Sequence, residues 1–182
     1  GFLISRIDKR NIVFGLDLSK KRVKRAKNKI KDAILIQGSV LQLPFKENSF
    51  DAVICSELLE HVKEYKKALN ELIRISDKVI VLTVPNDQEP RKIVCPKCGF
   101  EHFLDGHVNS FNEESISKII ESNKKIKLLK IKKFHTIFTY NKLTLHFPKE
   151  IRMFLDWIAT KFERPFTFLK PNYLLVLATK KT

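Results

Sequence analysis

The sequence has few cysteines, no long apolar run and no signal-peptide pattern, the features of disulfide-rich, membrane-spanning and secreted proteins. Its 182 residues include 3 cysteines, 5 glycines, 1 methionine and 1 tryptophan. Three cysteines do not provide the disulfide framework of a small secreted domain, so we expect a reducing, cytoplasmic compartment. The sequence has no run of about eighteen apolar residues, which a transmembrane helix needs. The opening residues GFLISR also lack the basic end and the cleavage site of a signal peptide, so a soluble, intracellular protein is expected.

Acidic residues are also scarce relative to basic ones. The chain has 35 Lys and Arg against 20 Asp and Glu, which gives a net charge of +15. Such a surface attracts polyanions at low salt, so nucleic acid is a candidate partner. Enrichment in Lys, Ile and Glu with few glycines and one methionine is equally typical of thermophile proteins. The charge alone does not decide between these two interpretations.

Apolar runs alternate with amphipathic segments through the first half of the chain, which favours βαβ units on a parallel sheet. Strands are predicted at residues 11–16, 33–37, 50–55 and 79–84, and helices at residues 20–31 and 64–75. Eight of the twelve residues in the first helix are Lys or Arg, so it packs thinly and shows solvent a positive face. With 43% hydrophobic residues, the chain is expected to form one α/β domain over residues 1–182.

The last third of the chain has a different pattern. Ser110 and Glu113 have the spacing of a capping box, which predicts the start of a helix. A strand is predicted next at residues 126–134, then a helix at residues 148–162 and a final strand at residues 173–179.

Four segments of the sequence resemble one known family. Residues 50–61, FDAVICSELLEH, form an apolar strand that runs into the start of a Glu- and Leu-rich helix. This resembles the fourth-strand motif of class I S-adenosylmethionine-dependent methyltransferases, particularly those of ubiquinone and menaquinone biosynthesis. Asp17 at a strand end, the GS and LPF residues within 38–45, and VPN at residues 84–86 occur in that family's order.

The resemblance implies a fold and a cofactor. The fold would be a doubly wound, Rossmann-like sheet, mostly parallel, with an antiparallel C-terminal strand. The long strand 126–134, an excursion at about residues 135–170 and the returning strand 173–179 suit that antiparallel pair. The cofactor would be S-adenosylmethionine.

Asp17 and Leu18 are the first expected cofactor-binding residues. A carboxylate at the end of a parallel strand can accept hydrogen bonds from both hydroxyls of a ribose. The segment FGLDLS at residues 14–19 resembles the family's ribose-binding strand. The alternative is that Asp17 caps the following helix.

The adenine-side loop departs from the family pattern at Ser39. An acidic residue usually follows the glycine there, and a serine hydroxyl lacks the charge assistance of a carboxylate. Either the cofactor affinity is lower, or backbone groups of Ser39 and Val40 take over the contact.

The exit of the strand at residues 50–55 is expected near the methionine portion of the cofactor and its adenosine. Cys55, Ser56 and Glu57 would then line the pocket. His61 is either structural or a proton-transfer group. Methyl transfer depends mainly on alignment of nucleophile, methyl carbon and sulfur, so no covalent catalyst is required and no catalytic residue is assigned.

The family's glycine-rich loop, which approaches the carboxypropyl end of the cofactor, would lie just before residue 1. Gly1 and the residues after it resemble the end of that loop, so Gly1 is a further expected cofactor-binding residue. The prediction is a methyltransferase domain that is incomplete at its N-terminus. A fragment, missing residues and a lost site all remain open as explanations.

A separate cluster predicts a metal site in an insert at about residues 88–109. CPKCG at residues 95–99 is a metal-knuckle sequence, in which Cys95 and Cys98 can grip one ion. His102 and His107 complete four tetrahedral ligands, so a closed, structural zinc site is predicted. The alternative is a free dithiol, with His107 in the substrate loop, because some methyltransferases have a similar insert.

The leading hypothesis is an S-adenosylmethionine-dependent methyltransferase whose methyl acceptor is not identified. Small molecules, lipid precursors and RNA are all candidate acceptors. Five aromatic residues could stack on a flat substrate, although such residues more often belong to a core: Phe138, Tyr140, Phe147, Phe154 and Trp157.

Two rival hypotheses stay open. A non-catalytic module on a degenerate methyltransferase fold could bind RNA or a partner subunit through the basic segments 20–31 and 124–133. A nicotinamide-dependent enzyme would also suit an acid at this strand end, although the LPF and ELLEH motifs count against it.

Overall fold

The computed structural model describes residues 3–4, 7–134 and 173–181. Gly1, the helix predicted at residues 148–162 and the five candidate stacking aromatics lie outside these residues. The described strands are β1 Val13–Asp17, β2 Ala33–Gln37, β3 Phe50–Ser56, β4 Ser76–Pro85, β5 Lys92–Val94, β6 Glu101–Phe103, β7 Ile126–Phe134 and β8 Tyr173–Lys180. The described α-helices are α1 Lys20–Lys29, α2 Tyr65–Ile75 and α3 Glu113–Glu121. Within these ranges no helix has the length and apolar character needed to cross a membrane.

The strands of the described residues form three sheets. β1 pairs in parallel with β2. A four-stranded sheet has the order β3-β4-β8-β7, in which β3 and β4 are parallel while β8 runs antiparallel to both β4 and β7. Three of these four strands therefore run in one direction, which confirms the mixed α/β sheet with an antiparallel C-terminal strand. β5 and β6 form a separate antiparallel hairpin.

The main core lies on one face of the four-stranded sheet, beneath α2 and α3. In β4 the alternate residues Ile80, Leu82 and Val84 are fully buried, because successive side chains of a strand point to opposite faces. Apolar residues of α2 recur at helical spacing and pack against this face. The opposite face is more open, and Ile54 on β3 is 44% exposed.

The start of α3 differs from the prediction. The N-cap is Asn112 rather than Ser110, and its Oδ1 accepts a 2.8 Å bond from the Ser115 amide. Ser115 Oγ in turn accepts a 2.9 Å bond from the Asn112 amide. The reason is Phe111, which is 3% exposed and bridges to Asn86 in extended conformation, so the helix cannot start before it.

The LPF segment is held against α2 by a pair of charged residues. Arg74 donates hydrogen bonds to the carbonyls of Phe45, at 2.7 Å, and Leu43, at 3.0 Å. Glu71 accepts a 2.7 Å bond from the Leu43 amide and another of 2.7 Å from Arg74 Nε. These bonds fix the loop that leaves β2 and leads into β3.

The Glu71 carboxylate is expected to make stability depend on pH. Hydrogen bonds from Arg74 lower the pKa of Glu71 in the folded state, so its contribution is complete above the unfolded-state pKa and is lost as pH falls through the folded pKa. We expect Glu71→Gln to lower the free energy of unfolding by about 1–2 kcal/mol at neutral pH. Urea unfolding should show that difference shrinking as the solution is acidified. A difference that stays constant with pH, or an equal effect of Glu121→Gln on the exposed face of α3, would contradict this account.

Candidate cofactor-binding site

The residues predicted to bind a cofactor lie at the carboxyl ends of β1, β2 and β3. β1 and β2 end together, because Asp17 is in register with Gln37 and the Gly38 amide donates a 3.1 Å bond to the Asp17 carbonyl. The two sheets meet through an aromatic cluster of Phe14, Phe45 and Phe50, whose ring centroids lie 4.8 to 5.9 Å apart. β1 is therefore held next to the four-stranded sheet at its β3 edge.

Asp17 has one anchored carboxylate oxygen and one that is open. Oδ1 accepts a 2.8 Å hydrogen bond from the Ser19 amide, and Oδ2 lies 4.0 Å from an Arg22 guanidinium nitrogen. Ser19, rather than Asp17, is the N-cap of α1 and accepts a bond from the Arg22 amide. The Asp17 side chain is 39% exposed, so it remains accessible after orienting the turn. Leu18 next to it is 71% exposed, so its side chain is accessible at the same strand end.

Ser39 accepts hydrogen bonds from two residues of the turn that it begins. Its Oγ accepts a 3.2 Å hydrogen bond from the Leu41 amide, and its carbonyl accepts one of 3.2 Å from the Gln42 amide. Val40 is partly buried against the main core. A contact from this loop to a ligand would therefore use the remaining hydrogen of the hydroxyl or the main chain.

Cys55 does not line the exit of β3, which corrects the prediction. It is 5% exposed and belongs to the core, together with Val53, on the face that α2 covers. Burial raises the pKa of its thiol to about 12, so the group is an inert apolar side chain. Ser56 points the other way and is exposed, because neighbouring strand residues alternate between faces.

Glu57 adopts a strained conformation immediately after β3. Its φ is 49°, in the left-handed region that a residue with a Cβ adopts at a cost of about 1 kcal/mol or more. Its amide donates a 3.0 Å bond to the Thr83 carbonyl, and its Oε1 accepts a 2.9 Å bond from Thr83 Oγ1. Burial raises the pKa of Glu57 to about 7, and the Thr83 bond opposes that rise. Such strain, held by neighbouring bonds, is typical of functional sites.

Thr83 is the residue that the sequence did not single out. Its hydroxyl bridges Glu57 and Ser56, with a Ser56 Oγ to Thr83 Oγ1 distance of 2.8 Å. It is the one hydroxyl in an otherwise apolar run on β4, and that exception was the available signal.

Removing this hydroxyl is expected to destabilise the β3 exit. Thr83→Val should lower the free energy of unfolding by about 1–2 kcal/mol, because the half-buried Glu57 carboxylate loses its donor. In a Glu57→Ala background the same change should cost about 1 kcal/mol less, as a double-mutant cycle in urea would show. Thr179→Val is the matched control, since that hydroxyl donates to the Lys78 carbonyl near the other end of β4. Equal costs of Thr83→Val in both backgrounds would exclude the bridge.

The predicted four-ligand zinc site is not supported. Cys95 and Cys98 lie in the turn of the β5–β6 hairpin, where the Gly99 amide donates a 2.9 Å bond to the Cys95 carbonyl and Gly99 has a φ of 70°. His102 stacks on Phe100 within the same hairpin. His107 lies elsewhere, with its ring centroid 4.8 Å from that of His61.

The reason is the turn between the hairpin and His107. Asp105 and Gly106 both have positive φ, of 61° and 73°, and they direct the chain away from the knuckle. Over residues 3–4, 7–134 and 173–181, the group of side chains whose ligand atoms could share one ion is Glu60, His61 and His107.

The basic segment at residues 20–31 forms α1, with Val23 as its buried residue and its Lys and Arg residues on the surface. This agrees with a thinly packed, solvated helix. Binding of nucleic acid to it stays a prediction.

Comparison with known proteins identifies the first part of the chain. Residues 1–78 match the family model described as a methyltransferase domain. An uncharacterised protein of Methanocaldococcus jannaschii is 47% identical over 75 residues, which cover 40% of this chain and 32% of that protein. A demethylmenaquinone methyltransferase of Renibacterium salmoninarum is 44% identical over 64 residues, which cover 35% of this chain and 27% of that protein. The matches thus span about a third of these relatives or less.

Solved structures share the fold over nearly the whole chain. The cyclase SpnF superposes with a TM-score of 0.66 at 15% identity, covering 100% of this chain and 70% of that chain. Magnesium protoporphyrin IX methyltransferase from Synechocystis, solved with bound S-adenosylhomocysteine, gives a TM-score of 0.56 at 15% identity, covering 93% and 64%. At these identities the likeness shows the fold alone. The match at residues 1–78 is to a methyltransferase domain, and the mixed strand order agrees with the methyltransferase fold of these structures.

Proposed function

We propose that the protein transfers a methyl group from S-adenosylmethionine to an acceptor that is yet to be identified. The observation that supports this most directly is Asp17. Its carboxylate stands at the end of a parallel strand, is oriented by the Ser19 amide and remains 39% exposed. This is the place and the chemistry with which such sheets bind a ribose.

The other residues at the strand ends suit the remaining parts of the cofactor. The exposed Leu18 side chain offers an apolar surface to the adenine ring, and the turn at Ser39 and Val40 offers main-chain groups to its edge. Glu57 offers a carboxylate, held by Thr83, that could accept hydrogen bonds from the ammonium group of the methionine portion. When bound, the cofactor would supply an electrophilic methyl group on a sulfonium. The protein's own task is to align it with the acceptor and to exclude water.

The whole protein is proposed to have one more strand between β1 and β3. In the described residues, β1 pairs with β2 alone and β3 pairs with β4 alone, so each has an edge without a partner. Ring contacts of Phe14, Phe45 and Phe50 connect the two strands through their side chains, without backbone pairing between them. A parallel strand ending in a glycine-rich turn would complete one sheet and one wall of the pocket.

Calorimetric titration of S-adenosylhomocysteine tests this proposal. It should be added to this chain and to a chain extended upstream in the reading frame through the next strand and its glycine-rich turn. We expect the extended chain to bind at least about tenfold more tightly, since one lost wall removes more than 1.4 kcal/mol of contacts. Lack of binding to the extended chain, or an upstream sequence without that strand, would overturn the proposal.

A further inference from the structure

Glu60 is a buried acid without a hydrogen-bond partner in the described part of the chain. The residue is 1% exposed, and neither carboxylate oxygen has a donor within hydrogen-bond distance among the described residues. A carboxylate removed from water in this way is costly unless a positive charge or a donor compensates it. Buried polar groups in native proteins are nearly always satisfied, so an unpartnered acid of this kind is a candidate ligand-binding group.

The imidazole ring of His61 faces the Glu60 carboxylate with its Nε2 atom. Its Nδ1 lies 3.1 Å from the Gly106 carbonyl oxygen, which can only accept, so Nδ1 holds the hydrogen of the neutral ring. Nε2 is then an acceptor, and it lies 3.9 Å from Glu60 Oε1. Two acceptors facing each other at that distance leave room for a cation, with bonds of about 2.0–2.2 Å to each. A backbone carbonyl that fixes the tautomer in this way is the usual support of a metal-binding histidine.

His107 completes the cluster from another segment of the chain. The amides of Val108 and Asn109 donate bonds of 2.8 and 3.1 Å to the Glu60 carbonyl. The Asn109 side chain donates two more, to the carbonyls of Leu59 and Val62, at 2.9 and 2.8 Å. These four bonds clamp the segment that begins with His107 onto the turn that holds Glu60 and His61. The cluster is therefore assembled by the backbone before any ligand binds.

We propose that Glu60, His61 and His107 bind one divalent metal cation through a carboxylate oxygen and two imidazole nitrogens. Their ligand atoms all lie within 4.8 Å of one another. Two imidazoles with one carboxylate suit cations of the first transition row, such as Mn²⁺, Fe²⁺ or Co²⁺.

Three protein ligands leave coordination positions open. His107 also lines a cavity of about 270 Å³ together with Arg91, Leu104 and Asp105, among other residues. That cavity gives water or another oxygen ligand access to the cation, as in metal sites that act on a substrate.

The proposed site differs from the cysteine knuckle in its expected spectrum. Thiolate ligands give Co²⁺ an intense charge-transfer band in the near ultraviolet, whereas nitrogen and oxygen ligands give weak d–d bands alone. We expect the metal-free chain to bind about one equivalent of Co²⁺ with d–d bands and no charge-transfer band. Mn²⁺ should compete for the same site, and saturating Co²⁺ should raise the melting temperature.

Variants locate the site. Glu60→Gln and His107→Gln should each weaken Co²⁺ binding by at least about tenfold. Glu64→Gln and His102→Gln, at exposed positions, are the matched controls, and Cys95→Ser removes the knuckle; all three should bind as the original chain does. Circular dichroism without metal shows whether each variant is folded. The His107→Gln variant is expected to keep its fold and to lose the metal-induced rise in melting temperature.

Three results would overturn the proposal. They are the absence of Co²⁺ binding, a charge-transfer band that disappears in Cys95→Ser, and an affinity unchanged by both Glu60→Gln and His107→Gln. The titration contains no S-adenosylhomocysteine, so its failure leaves the methyltransferase proposal standing, and a metal site would stand if the cofactor failed to bind.

Discussion

Replacing Asp17 with asparagine is expected to weaken S-adenosylhomocysteine binding to the extended chain about tenfold to hundredfold. A hydrogen bond to a charged group contributes about 1.5–3 kcal/mol, and the proposed ribose contact uses the charge of this carboxylate. Asparagine keeps the shape and can still accept the 2.8 Å bond from the Ser19 amide, so the start of α1 should be preserved. Calorimetry gives the affinity, and urea unfolding of the same variant gives the stability.

Asp32→Asn is the matched control for Asp17→Asn. Asp32 is an exposed acid that pairs with Lys9 at 3.1 Å and lies at the beginning of β2, away from the strand exits. Its replacement should leave the affinity unchanged. If both variants bind the ligand as tightly as the original chain, Asp17 does not contact the ribose. If Asp17→Asn instead unfolds the protein, its main role is to cap the turn before α1.

Truncation of Leu82 to alanine is expected to lower the free energy of unfolding by about 2–5 kcal/mol, the range for large-to-small changes in a packed core. Leu82 is fully buried in the middle of β4. Its neighbours across the sheet are Cys55 on β3 and Val176 on β8, so a cavity there loosens both strand pairs. Urea unfolding measures the loss.

Leu129→Ala on β7 provides the comparison for Leu82. Leu129 is 52% exposed and lies at an irregularity in the pairing of β7 with β8, so its truncation should cost less than about 1 kcal/mol. Equal losses in the two variants would mean that β4 is not the centre of the core.

The strands were predictable because this sheet is built from apolar runs with clear ends. β2 and β7 have the predicted limits, residues 33–37 and 126–134. β8 extends one residue beyond its predicted end, and β4 begins earlier than predicted, at Ser76, which pairs with Phe50 of β3 across a register shift. Turns and caps depend on single side-chain bonds. For this reason the predicted N-cap of α3, Ser110, differs from the observed one, Asn112.

The positions of the candidate site residues were predictable only where local sequence determines them. Asp17 follows from its place at a strand end, and Glu57 from its place after β3. Cys55 was assigned to the pocket because a family pattern names the strand exit without saying which face each residue occupies. Thr83 reaches Glu57 across a strand pair, 26 residues away. The lone hydroxyl in an apolar strand marks Thr83 as unusual, but the sequence does not show that Glu57 is its partner.

The partners of His107 were also not predictable from the sequence, because they lie far from it along the chain. His107 is close in sequence to Cys98 and His102, and that proximity suggested a zinc site. Positive φ at Asp105 and Gly106 turns the chain towards Glu60 and His61 instead, and spacing in the sequence cannot reveal such a turn.

The proposed cofactor lies across the carboxyl ends of β1, β2 and β3. The most direct measurement is the change in backbone amide resonances when S-adenosylhomocysteine is added to the isotope-labelled extended chain. The account predicts the largest shifts at residues 17–18, 39–40 and 56–57. Largest shifts in the hairpin at residues 92–103, or none at saturating ligand, would contradict it.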